Sequence, residues 1–307
     1  MSTPVSPSPA APGFTLPGLR WIVAFLLLLA SVIHSVDRLI FSILAPTIQA
    51  DLGLTDHDYG NVISIFLFAY AIGYLVTGRL GDRLGTRLSL GIYVAWWSLA
   101  DLFTGFAKSV ASLGACRFLL GIGEAGLPTT APRVVAEWFP AKERAVAIGM
   151  YSVGGAIGAT ITPILAVGIA NRYGWQAVFV ITGIVGIAFA GLWLAIYRRP
   201  QEHPWLGAKE RAALVADREA EPDTTPKIPA KQAWKILLTS PVVWTVLCSR
   251  LLTDPVWFFY NFWFAKYLNT ERGFDQQALG GIWVIFLAAD AGFLLSGFIS
   301  MWFMRRG

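Results

Sequence analysis

Charge is scarce in this sequence. Asp, Glu, Lys and Arg make up 14% of its 307 residues, against roughly 25% in an average soluble domain, and that excludes an ordinary water-soluble globule. Cysteine is scarcer: only Cys116 and Cys248 occur. They lie far apart in apolar stretches, and so read as buried free thiols and not as a disulfide or metal clip. The histidines His34, His57 and His203 are scattered without metal-ligand spacing. No P-loop, HExxH or GxSxG motif is found. The run Gly121-Ile-Gly-Glu-Ala-Gly126 has the letters of a dinucleotide fingerprint, but it sits inside an apolar stretch with no strand before it, so the nucleotide reading fails on context. No catalytic constellation remains, and an enzyme is not expected.

Apolar residues are abundant instead, at 55% of the chain. Eight runs approach the roughly 20 residues needed to cross a bilayer: about 21–45, 60–80, 88–106, 109–132, 145–169, 174–197, 241–268 and 276–303. The pattern predicts an all-α transmembrane protein. The net charge of +5 does not point to nucleic acid, because the basic residues fall in short clusters between the apolar runs. With the N-terminus in the cytoplasm, the inner segments collect Arg20, then Arg79, Arg83 and Arg87, then Arg133, Lys142 and Arg144, then the basic residues of 198–235, and finally Arg305 and Arg306. The outer segments keep only Lys108, Arg172, Lys266 and Arg272, and the first outer loop carries Asp51, Asp56 and Asp58. That asymmetry sets the orientation, with the N-terminus inside. Residues 1–19 hold several prolines and no Lys or Arg; they lack the basic start of a signal peptide and read as a disordered tail. Residues 198–235 form a charged, Pro-containing linker, within which 208–220 has the composition of a surface helix. The expected organisation is therefore a tail (1–19), a six-helix bundle (20–197), a cytoplasmic loop (198–235) and a two-helix segment (236–307).

Between the second and third runs stands Gly78-Arg-Leu-Gly-Asp-Arg-Leu-Gly-Thr-Arg87. Gly78 permits close helix approach and Gly85 a tight turn. Asp82 is placed to accept from a helix N-terminus or an arginine. The ordered spacing resembles the loop signature of the major facilitator superfamily. The resemblance implies a conformational latch made by Gly78, Asp82, Arg83, Gly85 and Arg87. It also implies a fold of two six-helix halves, here the first half plus the first two helices of the second. A weaker echo at 297–307 falls in the equivalent place, as parallel repeats require. The family has twelve spans, so eight imply a fragment or a truncated gene.

Ionisable groups at membrane depth are costly and are functional candidates by default. The first run carries Asp37-Arg38, with His34 one turn earlier, and the fourth carries Arg117 and Glu124, seven residues apart and hence on one helical face. Arginines grip carboxylates with forked hydrogen bonds, and acids take up and release protons; a mutually neutralising structural network is the plainer alternative. The motifs Ser35-Val-Asp-Arg-Leu39, Arg117-Phe-Leu-Leu-Gly-Ile-Gly-Glu-Ala125, Glu137-Trp-Phe-Pro140 and Gly174-Trp175 are similar to those of the anion:cation symporters. That resemblance implies proton coupling by Asp37 and Glu124, and a sugar-acid site formed by Arg38, Arg117 and Tyr70. His34-Ser35 replaces an Asn-Tyr pair common in that family, so a substrate-facing tyrosine is missing.

The seventh run, Arg250 to Leu268 with its Asp254-Pro255 and Lys266-Tyr267-Leu268, resembles that of bacterial hexuronate transporters. Pro255 is expected to bend it. Tyr260 and Asn261, near its middle, can bond sugar hydroxyls. Arg250 and Asp254 are one turn apart and pair as readily for structure as for function. Lys266 is expected to snorkel to the interface. Asp101 and Asp290 receive no role. The whole reads as a symporter importing a sugar acid such as glucuronate or galacturonate, or another organic anion, across a bacterial inner membrane. The proton is the coupling ion, with no other cofactor and no metal. The expected partners are the anion and membrane lipid, not nucleic acid, and a monomer is expected. A non-transporting membrane sensor is the remote alternative.

Overall fold

The computed structural model describes Leu16 and residues 18–208, 210–212, 214, 229–289 and 292. The tail before Leu16, most of the charged linker, Asp290 and the echo at 297–307 lie outside the described residues. Every regular element among the described residues is helical: α1 (Leu19–Ile43), α2 (Ala45–Leu52), α3 (Asp56–Thr104), α4 (Val110–Glu124), α5 (Gly126–Trp138), α6 (Ala141–Tyr173), α7 (Trp175–Ile196), α8 (Ala230–Thr239), α9 (Pro241–Phe262), α10 (Phe264–Arg272) and α11 (Gln276–Leu279), followed by a short 3₁₀ turn (Gly280–Ile282). Among the described residues, six helical stretches are long and apolar enough to cross a membrane, with α4 and α5 counted as one.

The second and third apolar runs form the single trace of α3, broken at Gly85, whose φ of 73° and ψ of 167° are not helical. An L side chain is strained at that φ, so glycine makes the reversal that the loop signature led us to expect. The fourth run extends beyond the expected 132 to Trp138, with a discontinuity at Ala125. Pro128 and Pro132 have no N–H to offer the carbonyls of residues 124 and 128, which loosens the ladder just after Glu124. The seventh run divides at Trp263, and Pro255 lies within α9. Cys248 is exposed on α9, against the expectation that both thiols are buried.

Packing follows the small residues. The principal neighbours are α3 with α4, α1 with α6, and α3 with α7. A Cβ on Gly154 would stand 2.3 Å from the Leu28 carbonyl oxygen, and one on Gly158 2.6 Å from that of Val32. These glycines let the α1 and α6 backbones touch. The fingerprint-like Gly121 has the same use: a Cβ there would meet the Phe66 carbonyl at 2.6 Å.

Among the described residues, the six-helix bundle and the later helices meet at the end bearing Asp56. There Thr47 Oγ1 bonds Gln276 at 2.6 Å, the Tyr59 hydroxyl donates to the Phe262 carbonyl, and Lys266 pairs with Asp56. In α9 the only buried residues are Asn261 and Phe262, so that helix leaves the bundle as it runs back toward Pro241. The end bearing Asp56 is thus closed between the two parts.

Candidate functional site

The helical repeat of α1 places His34 and Arg38 on one stripe facing α4. Arg38 directs two donors at one oxygen of Glu124: Nε at 3.0 Å and Nη2 at 2.8 Å from Oε2. Glu124 is completely buried, and its other oxygen, Oε1, has no hydrogen-bond partner. His34 joins them, its Nε2 3.3 Å from Arg38 Nη2 and 3.7 Å from Glu124 Oε2. The guanidinium also lies over the Tyr70 ring at 4.5 Å and the Phe66 ring at 5.6 Å. Tyr70 in turn shares a hydrogen bond with Tyr74 at 3.1 Å. Arg38 is 18% exposed where Glu124 is sealed, so the arginine is the face this cluster shows to a solute.

Deeper in the bundle is a second cluster. Arg117 is only 2% exposed and is stacked between Phe41 (4.4 Å) and Phe179 (5.3 Å). Its nearest acid is Asp101, Nη2 to Oδ1 at 3.8 Å, beyond hydrogen-bond range. Asp101 Oδ2 accepts from Thr182 at 2.8 Å, whereas Asp101 Oδ1 and the Arg117 Nε and Nη2 groups are without partners. Asp37 Oδ2 accepts from Trp97 Nε1 at 3.1 Å and its Oδ1 is unpartnered. Asp101, Glu124 and Arg117 all lie within electrostatic reach of Asp37.

The arrangement of the two arginines differs from what shared helical faces suggest. Glu124 belongs to Arg38, and Arg117 turns to Asp101, the acid that the sequence left without a role. With every group ionised, Asp37, Asp101 and Glu124 outnumber Arg38 and Arg117, leaving one surplus negative charge. Buried like charges repel more strongly than charges in water, because the effective dielectric constant around them is lower. Such a cluster therefore responds strongly to any added proton or anion.

Residues of the seventh run do not join this cluster. Asn261 Nδ2 donates to the Trp257 carbonyl of its own helix at 2.8 Å. Tyr260 is 44% exposed and packs on Phe264. Arg250 and Asp254 pair at 3.4 Å on an exposed face. Lys266 does not snorkel: its side chain is 5% exposed, paired to Asp56 and set over the Tyr59 and Trp263 rings. A fixed carboxylate and two aromatic faces hold the ammonium more favourably than an extended stem would.

At the opposite end of the bundle, Asp82 accepts from Arg133 Nη1 at 2.7 Å, and Arg133 Nη2 reaches the Gly78 carbonyl at 3.3 Å. Thr86 and Tyr197 both donate to Glu137 Oε2, at 2.7 and 2.8 Å. Arg87 caps the Leu194 carbonyl at the end of α7. Arg83 borders the same loop, and Arg199 lies close enough to Gly85 that a Cβ there would stand 2.5 Å from it. Of the two partners expected for Asp82, the arginine is the one present.

The family model described as Major Facilitator Superfamily matches residues 27–307. The chain is 30% identical to the galacturonate transporter of Dickeya chrysanthemi, over 95% of this chain and 84% of that protein. It is also 30% identical to the hexuronate transporter of Escherichia coli (strain K12), over 94% of this chain but 66% of that protein. Among solved structures, the inward-facing, unoccupied form of a bacterial homologue of the human lysosomal transporter Spinster superposes with a TM-score of 0.77 at 23% identity. That likeness covers 95% of this chain and 64% of the other, and it concerns the fold.

Proposed function

This chain belongs to the Major Facilitator Superfamily, a multi-pass membrane protein and not an enzyme, and from that premise we propose that it imports a hexuronate such as galacturonate or glucuronate together with protons. The names of its relatives support the substrate class. One observation carries the mechanism: both described Arg38 donors rest on a single Glu124 oxygen. A substrate carboxylate that takes the Arg38 fork must displace Glu124, and a buried carboxylate stripped of its partner is costly unless it gains a proton. Anion and proton are thereby tied to the same arginine. Tyr70, already against the guanidinium, holds the sugar alongside it. Arg117 forms the second positive charge behind the site, with Asp37 and Asp101 as its acidic neighbours. Alternating access then brings the site to each side of a bacterial inner membrane in turn.

The basic loops support a cytoplasmic N-terminus, and with it a cytoplasmic Gly85 end. In that orientation the closed Asp56 end is the outer one and Arg38 opens inward. The contact of Asp82 with Arg133 supports the latch reading of the loop signature. A second substrate reading, an aldonate or aldarate, draws on one feature: Ser35 supplies no ring where the related symporters often place tyrosine. The test is uptake into proteoliposomes holding the full-length protein. An imposed inward proton gradient should accumulate labelled D-galacturonate, with D-galactonate and D-glucarate as competitors. Gradient-independent equilibration alone would remove the coupling, and no uptake of any of the three would remove the substrate class.

A further inference from the structure

His34 carries no role in the reading above, yet it touches both members of the Arg38–Glu124 pair. Its side chain is 13% exposed. A guanidinium only donates, so the 3.3 Å contact with Arg38 makes Nε2 an acceptor and leaves the ring proton on Nδ1. The charged or titratable neighbours on each packed element are few. α1 supplies Arg38 itself, and α4 supplies Glu124. α3 supplies the Trp97 ring, edge-on at 5.8 Å, whose N–H is held by Asp37. Tyr70 of α3 and Tyr151 of α6 lie on the Arg38 side. If Arg38 is drawn to an anion, His34 Nε2 loses its donor and Glu124 Oε2 loses both of its own. These two atoms already stand 3.7 Å apart.

We propose that His34 and Glu124 together form the proton site, one proton being held between Nε2 and Oε2 whenever an anion occupies Arg38. This rests on the transport reading for its anion, but the pair itself is a property of the fold. The charges balance: the anion brings one negative charge to Arg38, and one proton from water on the open side enters between imidazole and carboxylate. When the anion leaves, Arg38 swings back onto Glu124 and the proton returns to water. The imidazole thus gives the proton a second basic site, which the amide of an asparagine in its place cannot supply.

In nitrogen NMR of ¹⁵N-histidine-labelled full-length protein, the signals lost in His34→Asn assign the ring of interest. Arg38→Gln mimics withdrawal of the guanidinium without any ligand. In that variant the His34 ring should bind a proton at a pH higher than in the parent by on the order of one unit or more, because a neighbouring positive charge is gone and Glu124 is free to share. The double variant Arg38→Gln/Glu124→Gln should lose most of that shift. In the parent, saturating D-galacturonate should change the His34 Nε2 signal from acceptor to proton-sharing. An unchanged His34 titration in Arg38→Gln, or an equal shift in the double variant, would overturn the paired site. A shifted titration in Arg38→Gln with no response to D-galacturonate in the parent would leave the pair standing and remove the substrate assignment.

Discussion

Glu124→Gln isolates the competition between anion and carboxylate. Glutamine keeps the shape and an acceptor oxygen but can never be ionised. In the parent, Arg38 gives Glu124 two hydrogen bonds, at 3.0 and 2.8 Å. Hydrogen bonds to charged groups contribute roughly 1.5–3 kcal/mol, and each 1.4 kcal/mol is about tenfold in affinity. An anion displacing ionised Glu124 forgoes at least that much. The substitution should therefore tighten D-galacturonate binding by roughly 10- to 100-fold at alkaline pH and flatten its pH dependence. Without anion, Arg38 becomes a partly buried charge lacking a counter-ion, so the variant should melt earlier than the parent and gain more from ligand. The assay is isothermal titration of the purified full-length variant across a pH series, paired with counterflow and proton-driven uptake in liposomes. Counterflow should persist and accumulation should vanish. Binding that is unchanged or weaker at alkaline pH, with the parent's pH dependence intact, would refute the competition, as would accumulation equal to the parent's.

Asp82→Asn removes the charge of an exposed pair with Arg133, worth about 0–1 kcal/mol to folding, so melting should hardly move. Its expected effect is on the balance of conformations: labelling of cysteines introduced at the two ends should shift toward the state open at the Gly85 end, and an unaltered pattern would count against the latch. Gly154→Ala places a methyl where 2.3 Å separates it from the Leu28 carbonyl. Forcing α1 from α6 should cost about 1–3 kcal/mol, seen as a lower melting temperature in detergent, whereas Gly149→Ala, with open space at its Cβ, should be close to neutral.

The apolar runs and the spacing of the loop signature were sufficient to establish membrane helices and the turn at Gly85. These features are local: span length is set by bilayer thickness, and a positive φ by one residue. The intramembrane charges were equally visible, because any ionisable residue in an apolar run stands out. Their pairing was not. Arg117 and Glu124 share a helical face, but whether an arginine seven residues away or one on another helix reaches a carboxylate depends on how α1, α3 and α4 pack. Packing gave Glu124 to Arg38 and His34, and turned Arg117 to Asp101 between two phenylalanines. The same applies to Lys266, whose sequence position suggested the interface and whose partners Asp56, Tyr59 and Trp263 arrive only when two bundles close at one end. Periodicity and hydropathy act along the chain and are written in it; the choice of counter-ion is made across helices, where a few ångströms in a low-dielectric interior decide which charge is answered.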